Sequence, residues 1–120
     1  MNGREPTARK IPMKTATRQQ SGSTIVDISG DVDMGTSPGF LKTLLESLKV
    51  TPRLVVNLTE VRYIDSSGIA SLVEVLMKAR NSKKQLVLFG LNKTVQEVLQ
   101  LTRLTTIFEI RETEEDALQV

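Results

Sequence analysis

The chain contains no cysteine and no histidine. Their absence excludes disulfides, thiolate and imidazole metal sites, cysteine nucleophiles and any triad that relies on an imidazole base. Catalysis, if there were any, would fall to carboxylates, lysines, hydroxyls and the single tyrosine, Tyr63. Tryptophan is also missing and aromatic residues make up 3% of the chain, too few to build a stacking platform for single-stranded nucleic acid. The first 22 residues lack the apolar run that a signal peptide or membrane anchor requires. A cytoplasmic protein with no membrane span is therefore expected.

What is present is the composition of one soluble domain: 120 residues, 39% hydrophobic and 25% charged, long enough to bury a core without staples. The net charge of +2 suggests a basic protein until the charges are located. Arg4, Arg9, Lys10, Lys14 and Arg18 stand against Glu5 in the first 22 residues, leaving 11 basic and 13 acidic groups for the rest. The basic excess thus belongs to the beginning of the chain, and direct nucleic-acid binding is not expected of the domain. Residues 1–12 read as a flexible basic leader and residues 13–120 as the folded domain.

Ile25, Val26 and Ile28 mark a strand after the turn Ser21-Gly22-Ser23, and a polar strand over 13–20 completes a hairpin with it. Thr36 or Ser37 then serves as an N-cap before Pro38, and Leu41, Leu44, Leu45 and Leu48 follow as one helical stripe. Burying those four leucines is worth about 6–12 kcal/mol as an upper bound, which requires a sheet beneath the helix. Leu54 to Leu58 reads as an interior strand covered on both faces. The next helix carries Ile69, Leu72, Val73, Leu76 and Ala79 inward and a Glu74–Lys78 pair outward. A strand over 85–89, a helix from Asn92 with Val95, Val98 and Leu99 inward, a strand over 107–110 and a helix from Thr113 complete the order ββαβαβαβα. This is an α/β mixed sheet with about four helices, its parallel units joined by right-handed crossovers.

The segment best placed for chemistry is Tyr63-Ile64-Asp65-Ser66-Ser67-Gly68, between an interior strand and a helix start. Asp, Ser and Gly are ordinary turn and cap residues, but the carboxyl end of a central strand is where open α/β sheets place functional groups. Two hydroxyls at a helix N-terminus can accept a phosphate, whose added charge of about −1.5 to −2 would change the surface beside Asp65. A bound phosphate ligand is disfavoured because no glycine-rich loop with its lysine is present.

Leu54 to Ile69, with Asp65-Ser66-Ser67-Gly68 at its centre, resembles the core signature of the anti-sigma factor antagonists, the bacterial STAS domains. Gly30-Asp31-Val32-Asp33 is similar to the Gly-Glu-Leu-Asp that the family carries before its first helix, and the likeness extends from about residue 13 to the C-terminus. The resemblance implies a STAS-like fold and phosphorylation of Ser66 by an anti-sigma factor serine kinase. Binding of that kinase by the unphosphorylated form would free a sigma factor, and a serine phosphatase would reverse the modification. It places Asp31, Asp33, Asp65, Ser66, Ser67 and Gly68 at or near the partner surface. Where many members carry Ser-Gly-Leu after the third helix, this chain has Thr102-Arg103-Leu104, a departure expected to alter the backbone or the partner contact there.

Two other readings accompany this one. Paired carboxylates such as Asp31 and Asp33 can bind a metal or perform acid–base chemistry, but no third ligand or phosphate cradle stands with them, so neither an enzyme nor a cofactor is expected. STAS domains also serve as subunits of larger assemblies, such as a stress-signalling complex or a lipid ABC transporter, and fold alone does not separate that role from the switch. Between the serines, Ser67 lies nearer the helical stripe, so its hydroxyl is expected on a backbone N–H, leaving Ser66 free to face a kinase.

Overall fold

The computed structural model describes residues 10–119. Strands β1 (Lys14–Gln20) and β2 (Ser23–Val32) form a hairpin about Ser21-Gly22, whose φ angles of 52° and 79° give the left-handed turn that matches strand twist. Three helix–strand repeats follow: α1 (Ser37–Lys49) and β3 (Arg53–Ile64), α2 (Ser66–Asn81) and β4 (Gln85–Phe89), α3 (Lys93–Leu101) and β5 (Glu109–Arg111). Helix α4 (Glu114–Leu118) ends the described fold. The sheet runs β1-β2-β3-β4-β5, antiparallel at the first pair and parallel through the other three. The expected element order is therefore the observed one. The last strand starts later than expected because residues 105–107 form a tight 3₁₀ turn, with the Ile107 N–H donating to Leu104 O.

Alternation along the strands sorts the core into two layers. Val26 and Ile28, Leu54, Val56 and Leu58, and Leu86 and Leu88 face α1, α2 and α3, whereas Ile25, Val55, Val87 and Phe89 face the other way, against Ala117 of α4. A five-residue helix covers little area, and polar groups hold it in place. The Arg18 guanidinium joins Asp27 (2.8 Å) and Glu114 (2.6 Å), and the buried Arg53 donates to Ala117 O and to Gln119 O (2.9 Å).

Strand β3 is longer than its apolar run suggests. Leu54, Val56 and Leu58 recur every two residues, but Leu58, Val61 and Ile64 recur every three, all fully buried in the same layer. The cause is two register shifts against β2, between Asp27 and Ser29 and between Gly30 and Asp31, each leaving an extra residue on β3. The bulges turn both Arg62 and Tyr63 outward and carry the strand to Ile64. They thereby set where the Asp65 turn emerges.

The helices are rotated slightly from the expected stripes. In α1 the deep positions are Phe40, Leu44, Ser47 and Leu48, and Leu41 and Leu45 sit half-buried on the flank. In α2 Val75 is buried where Val73 was expected, and in α3 Val98 is only half-buried. Among the described residues no ion pair joins Glu74 to Lys78. At the end of α3, Arg103 adopts φ 60° while Leu104 N–H donates to Leu99 O, a left-handed helix stop made without glycine.

Candidate functional site

The carboxyl ends of β2, β3 and β4 point the same way and lead into α1, α2 and α3, so three helix N-termini share one edge of the sheet. At the central one, the extended backbone of Asp65 (φ −109°, ψ −172°) donates its N–H to Val32 O at 3.1 Å, fixing the turn to β2. Its carboxylate Oδ1 accepts from the N–H groups of Ser67 (2.9 Å) and Gly68 (3.2 Å) and from Ser67 Oγ (2.5 Å). Asp65 is thus the N-cap. The expectation that Ser67 would spend its hydroxyl on a backbone N–H is corrected, because a carboxylate two residues upstream has already taken those donors and the hydroxyl donates to it instead. Ser66, the first residue of α2, is exposed, and its hydroxyl makes no hydrogen bond among the described residues. Gly68 is buried where α2 crosses β2 and β3: a β-carbon there would lie 2.6 Å from Ile64 Cγ1 and 2.8 Å from Val32 Cγ1. A side chain at residue 68 would push the helix start, and Ser66 with it, off the sheet.

Asp31 and Asp33 are not solvated turn carboxylates. Asp31 lies within β2, 4% exposed, accepting the Ile11 N–H at 3.1 Å and facing Arg62 at 3.2 Å. Burial would raise its carboxyl, but the Ile11 N–H and the Arg62 guanidinium outweigh it and hold the group below the usual range. The expected leader lies mostly outside the described residues, yet at its end the Asp31 N–H also donates to Ile11 O, tying residues 10–12 to β2. Asp33 begins the turn into α1. Its Oδ1 accepts from the N–H groups of Gly35 (2.9 Å) and Thr36 (3.1 Å), and Thr36 Oγ1 reciprocates by accepting the Asp33 N–H (2.9 Å). Thr36 is the N-cap residue of α1, one of the two expected there, but its hydroxyl is engaged within this turn and makes no cap bond to the helix. Lys10 at 3.1 Å, with burial opposing and these N–H groups assisting, holds the Asp33 carboxyl low. The two aspartates do not pool their oxygens, and among the described residues no group of three acidic side chains gathers that could hold a metal ion.

Residues 14–117 match the family model of the STAS domain. The chain belongs to the STAS domain family. An anti-sigma-B factor antagonist of Listeria monocytogenes is 35% identical over 89 residues, which cover 72% of this chain and 77% of that protein. An anti-sigma factor antagonist from Mycobacterium paratuberculosis shares the fold at a TM-score of 0.82 and 24% identity, over 89% of this chain and 92% of that one. The phosphorylated form of the Bacillus cell fate determinant SpoIIAA shares it at 0.67 and 15%, over 88% and 96%.

At this STAS domain's edge the sequence reading passed over Met34, and it started a helix at Asn92 without finding that residue's bond to β3. Met34, between Asp33 and Gly35, is 78% exposed on a turn that the Asp33 carboxylate closes by accepting the Gly35 N–H. An apolar residue inside a turn of carboxylates and glycine was the signal available. Asn92 caps α3 by accepting the Val95 N–H (3.0 Å) and donates to Val61 O (2.6 Å), joining the third turn to the bulged part of β3. No helix among the described residues is long and apolar enough to cross a membrane.

Proposed function

We propose that the chain is an anti-sigma factor antagonist, the activity named for its Listeria relative, and that phosphorylation of Ser66 switches its binding. On this reading it is a binding protein of the cytoplasm without turnover of its own. Unphosphorylated, it sequesters a serine kinase that is also the anti-sigma factor, and so releases a sigma factor. A serine phosphatase restores the binding form. The observation that carries the reading is the contrast between the serines: Ser66 presents an exposed hydroxyl, while Ser67 is bound to the capping carboxylate. The partner surface centres on Asp65, Ser66 and Ser67 with the neighbouring Asp33–Thr36 turn, and the buried Gly68 and Asp31 support it from beneath.

The switch follows from charge. A kinase packed against Ser66 would have to desolvate a phosphate beside Asp65, and mispairing a buried charge at an interface costs about 2–5 kcal/mol. That corresponds to a loss of affinity of roughly thirtyfold to several thousandfold. In the test, the chain is incubated with its kinase and ATP and the phosphate is located by mass spectrometry. Phosphate on Ser66, abolished in Ser66→Ala while kinase binding persists, is the expected result. Phosphate on Ser67 alone, or on neither serine, would overturn it, and copurification with a transport ATPase in place of a kinase would favour the assembly-subunit reading.

A further inference from the structure

A groove of about 660 Å³ runs between α1 and α2, and none of Asp65 to Gly68 lines it. Its floor is the flank left half-buried by the rotation of α1, Leu41 and Leu45. On its rims Lys42, Lys49 and Lys78 are exposed, and among the described residues none is in an ion pair. Lys84 closes one end, its ammonium donating to Leu48 O at 2.6 Å and so capping α1. Two carboxylates, Glu46 and Glu74, stand among these four lysines, which leaves the groove positive.

We propose that this groove docks an amphipathic helix of a partner protein, with the helix's apolar stripe on Leu41 and Leu45 and its acidic flanks against Lys42, Lys49 and Lys78. Both walls follow parallel strands and run side by side, and the lining extends from Pro38 to Lys49. That is about 16 Å, or three helical turns, the length over which a docked helix presents i, i+4 and i+7 anchors. The charge pattern selects this occupant. A second copy meeting the groove through a two-fold axis would set lysine against lysine. An anionic membrane would meet a concave surface bearing Glu46 and Glu74, where it needs a convex apolar face. The surface is separate from Ser66, so the inference does not depend on the phosphorylation reading.

The test uses the full unphosphorylated chain, with methyl and amide NMR titrations against two synthetic helical peptides of about 14 residues. Both carry a leucine stripe, one with glutamate flanks and one with lysine flanks. The expected result is that the glutamate peptide shifts the methyls of Leu41 and Leu45, with affinity that falls as salt is raised. The double variant Lys42→Glu/Lys78→Glu, which alters only exposed positions, should weaken that peptide at least about tenfold and gain affinity for the lysine peptide. Equal binding of both peptides, no shift in the groove, or shifts confined to Asp65–Gly68 would overturn the proposal. So would groove shifts produced by vesicles of anionic lipid in place of the peptide, or by self-association that the double variant abolishes.

Discussion

Gly39 and Gly68 occupy the third position of α1 and α2, and replacing each by alanine separates backbone preference from packing. Alanine is favoured over glycine in a helix by about 0.5–1 kcal/mol, so intrinsic preference predicts that both variants gain stability. Gly39 is exposed and nothing lies within 4 Å of a β-carbon built there, so Gly39→Ala should keep the full gain. At Gly68 the same atom meets Ile64 Cγ1 at 2.6 Å, Val32 Cγ1 at 2.8 Å and Ile64 Cδ1 at 2.9 Å. Both neighbours are β-branched, fully buried and stiff about their first torsion, so they cannot swing aside. Overpacking of this kind costs about 1–3 kcal/mol, more than the helical preference returns. Because that preference is common to the pair, the gap between the variants isolates the packing cost. Thermal or urea unfolding should place Gly39→Ala above the native chain and Gly68→Ala below it, separated by about 4–12 °C in midpoint. If Gly68→Ala is as stable as Gly39→Ala, α2 does not approach β2 and β3 as closely as described and the placement of Ser66 fails with it.

Ser67→Ala removes the hydroxyl from the Asp65 carboxylate and should lower stability by about 0.5–1.5 kcal/mol in urea unfolding while Ser66 remains a kinase substrate; loss of phosphorylation would show that Ser67 does more than brace the cap. Truncation to residue 13 should be less stable than truncation to residue 10 by about 1 kcal/mol, because it removes the Ile11 N–H from the buried Asp31 carboxylate; equal midpoints would show that residues 10–12 contribute nothing. Asp27 and Glu114, held low chiefly by Arg18, and Asp33, held low chiefly by Lys10, stabilise the fold above their ordinary values of 3.8 for aspartate and 4.5 for glutamate. As pH falls below those values the unfolded chain takes up protons first, so the urea midpoint should be level above about pH 5 and decline below it. Arg18→Gln should make that decline shallower, and an unchanged slope would show that the ion pairs with Asp27 and Glu114 carry no linkage.

Legibility in the sequence followed the regularity of the local pattern. The element order could be read because strand and helix periods are clean over most of the chain, as in Leu54, Val56 and Leu58. The bulges of β3 could not, since an inserted residue changes the period from two to three and makes Val61, Arg62, Tyr63 and Ile64 look like the loop after a finished strand. Helix starts were legible at Thr36, Asn92 and Thr113, and only at α2 was the capping side chain misassigned. Asp65 stands two residues before the hydroxyl chosen from local preference, and which oxygen reaches the helix N–H groups depends on a turn conformation that composition does not specify. The ion pair of Asp31 was out of reach for a related reason: Arg62 lies 31 residues from Asp31, and only the parallel pairing of β2 with β3 brings them together. Arg103 shows the limit of a missing glycine as a signal, because a left-handed stop forms with arginine in it.

With Ser66 as the phosphoacceptor, as proposed, the cap on α2 would have a kinetic consequence. A helix start usually offers its first N–H groups to an anion, but here Asp65 already accepts those of Ser67 and Gly68. A phosphate on Ser66 would find no backbone cradle to fold into, and the neighbouring carboxylate would repel it toward solvent. The modified serine would then behave as a label carried outside the protein rather than as a latch closed within it. Its lifetime would be governed by how often a phosphatase arrives, with no local opening step to wait for. Memory of the modified state would reside in the balance of the two opposing enzymes, and the domain itself would respond as quickly as either of them changes.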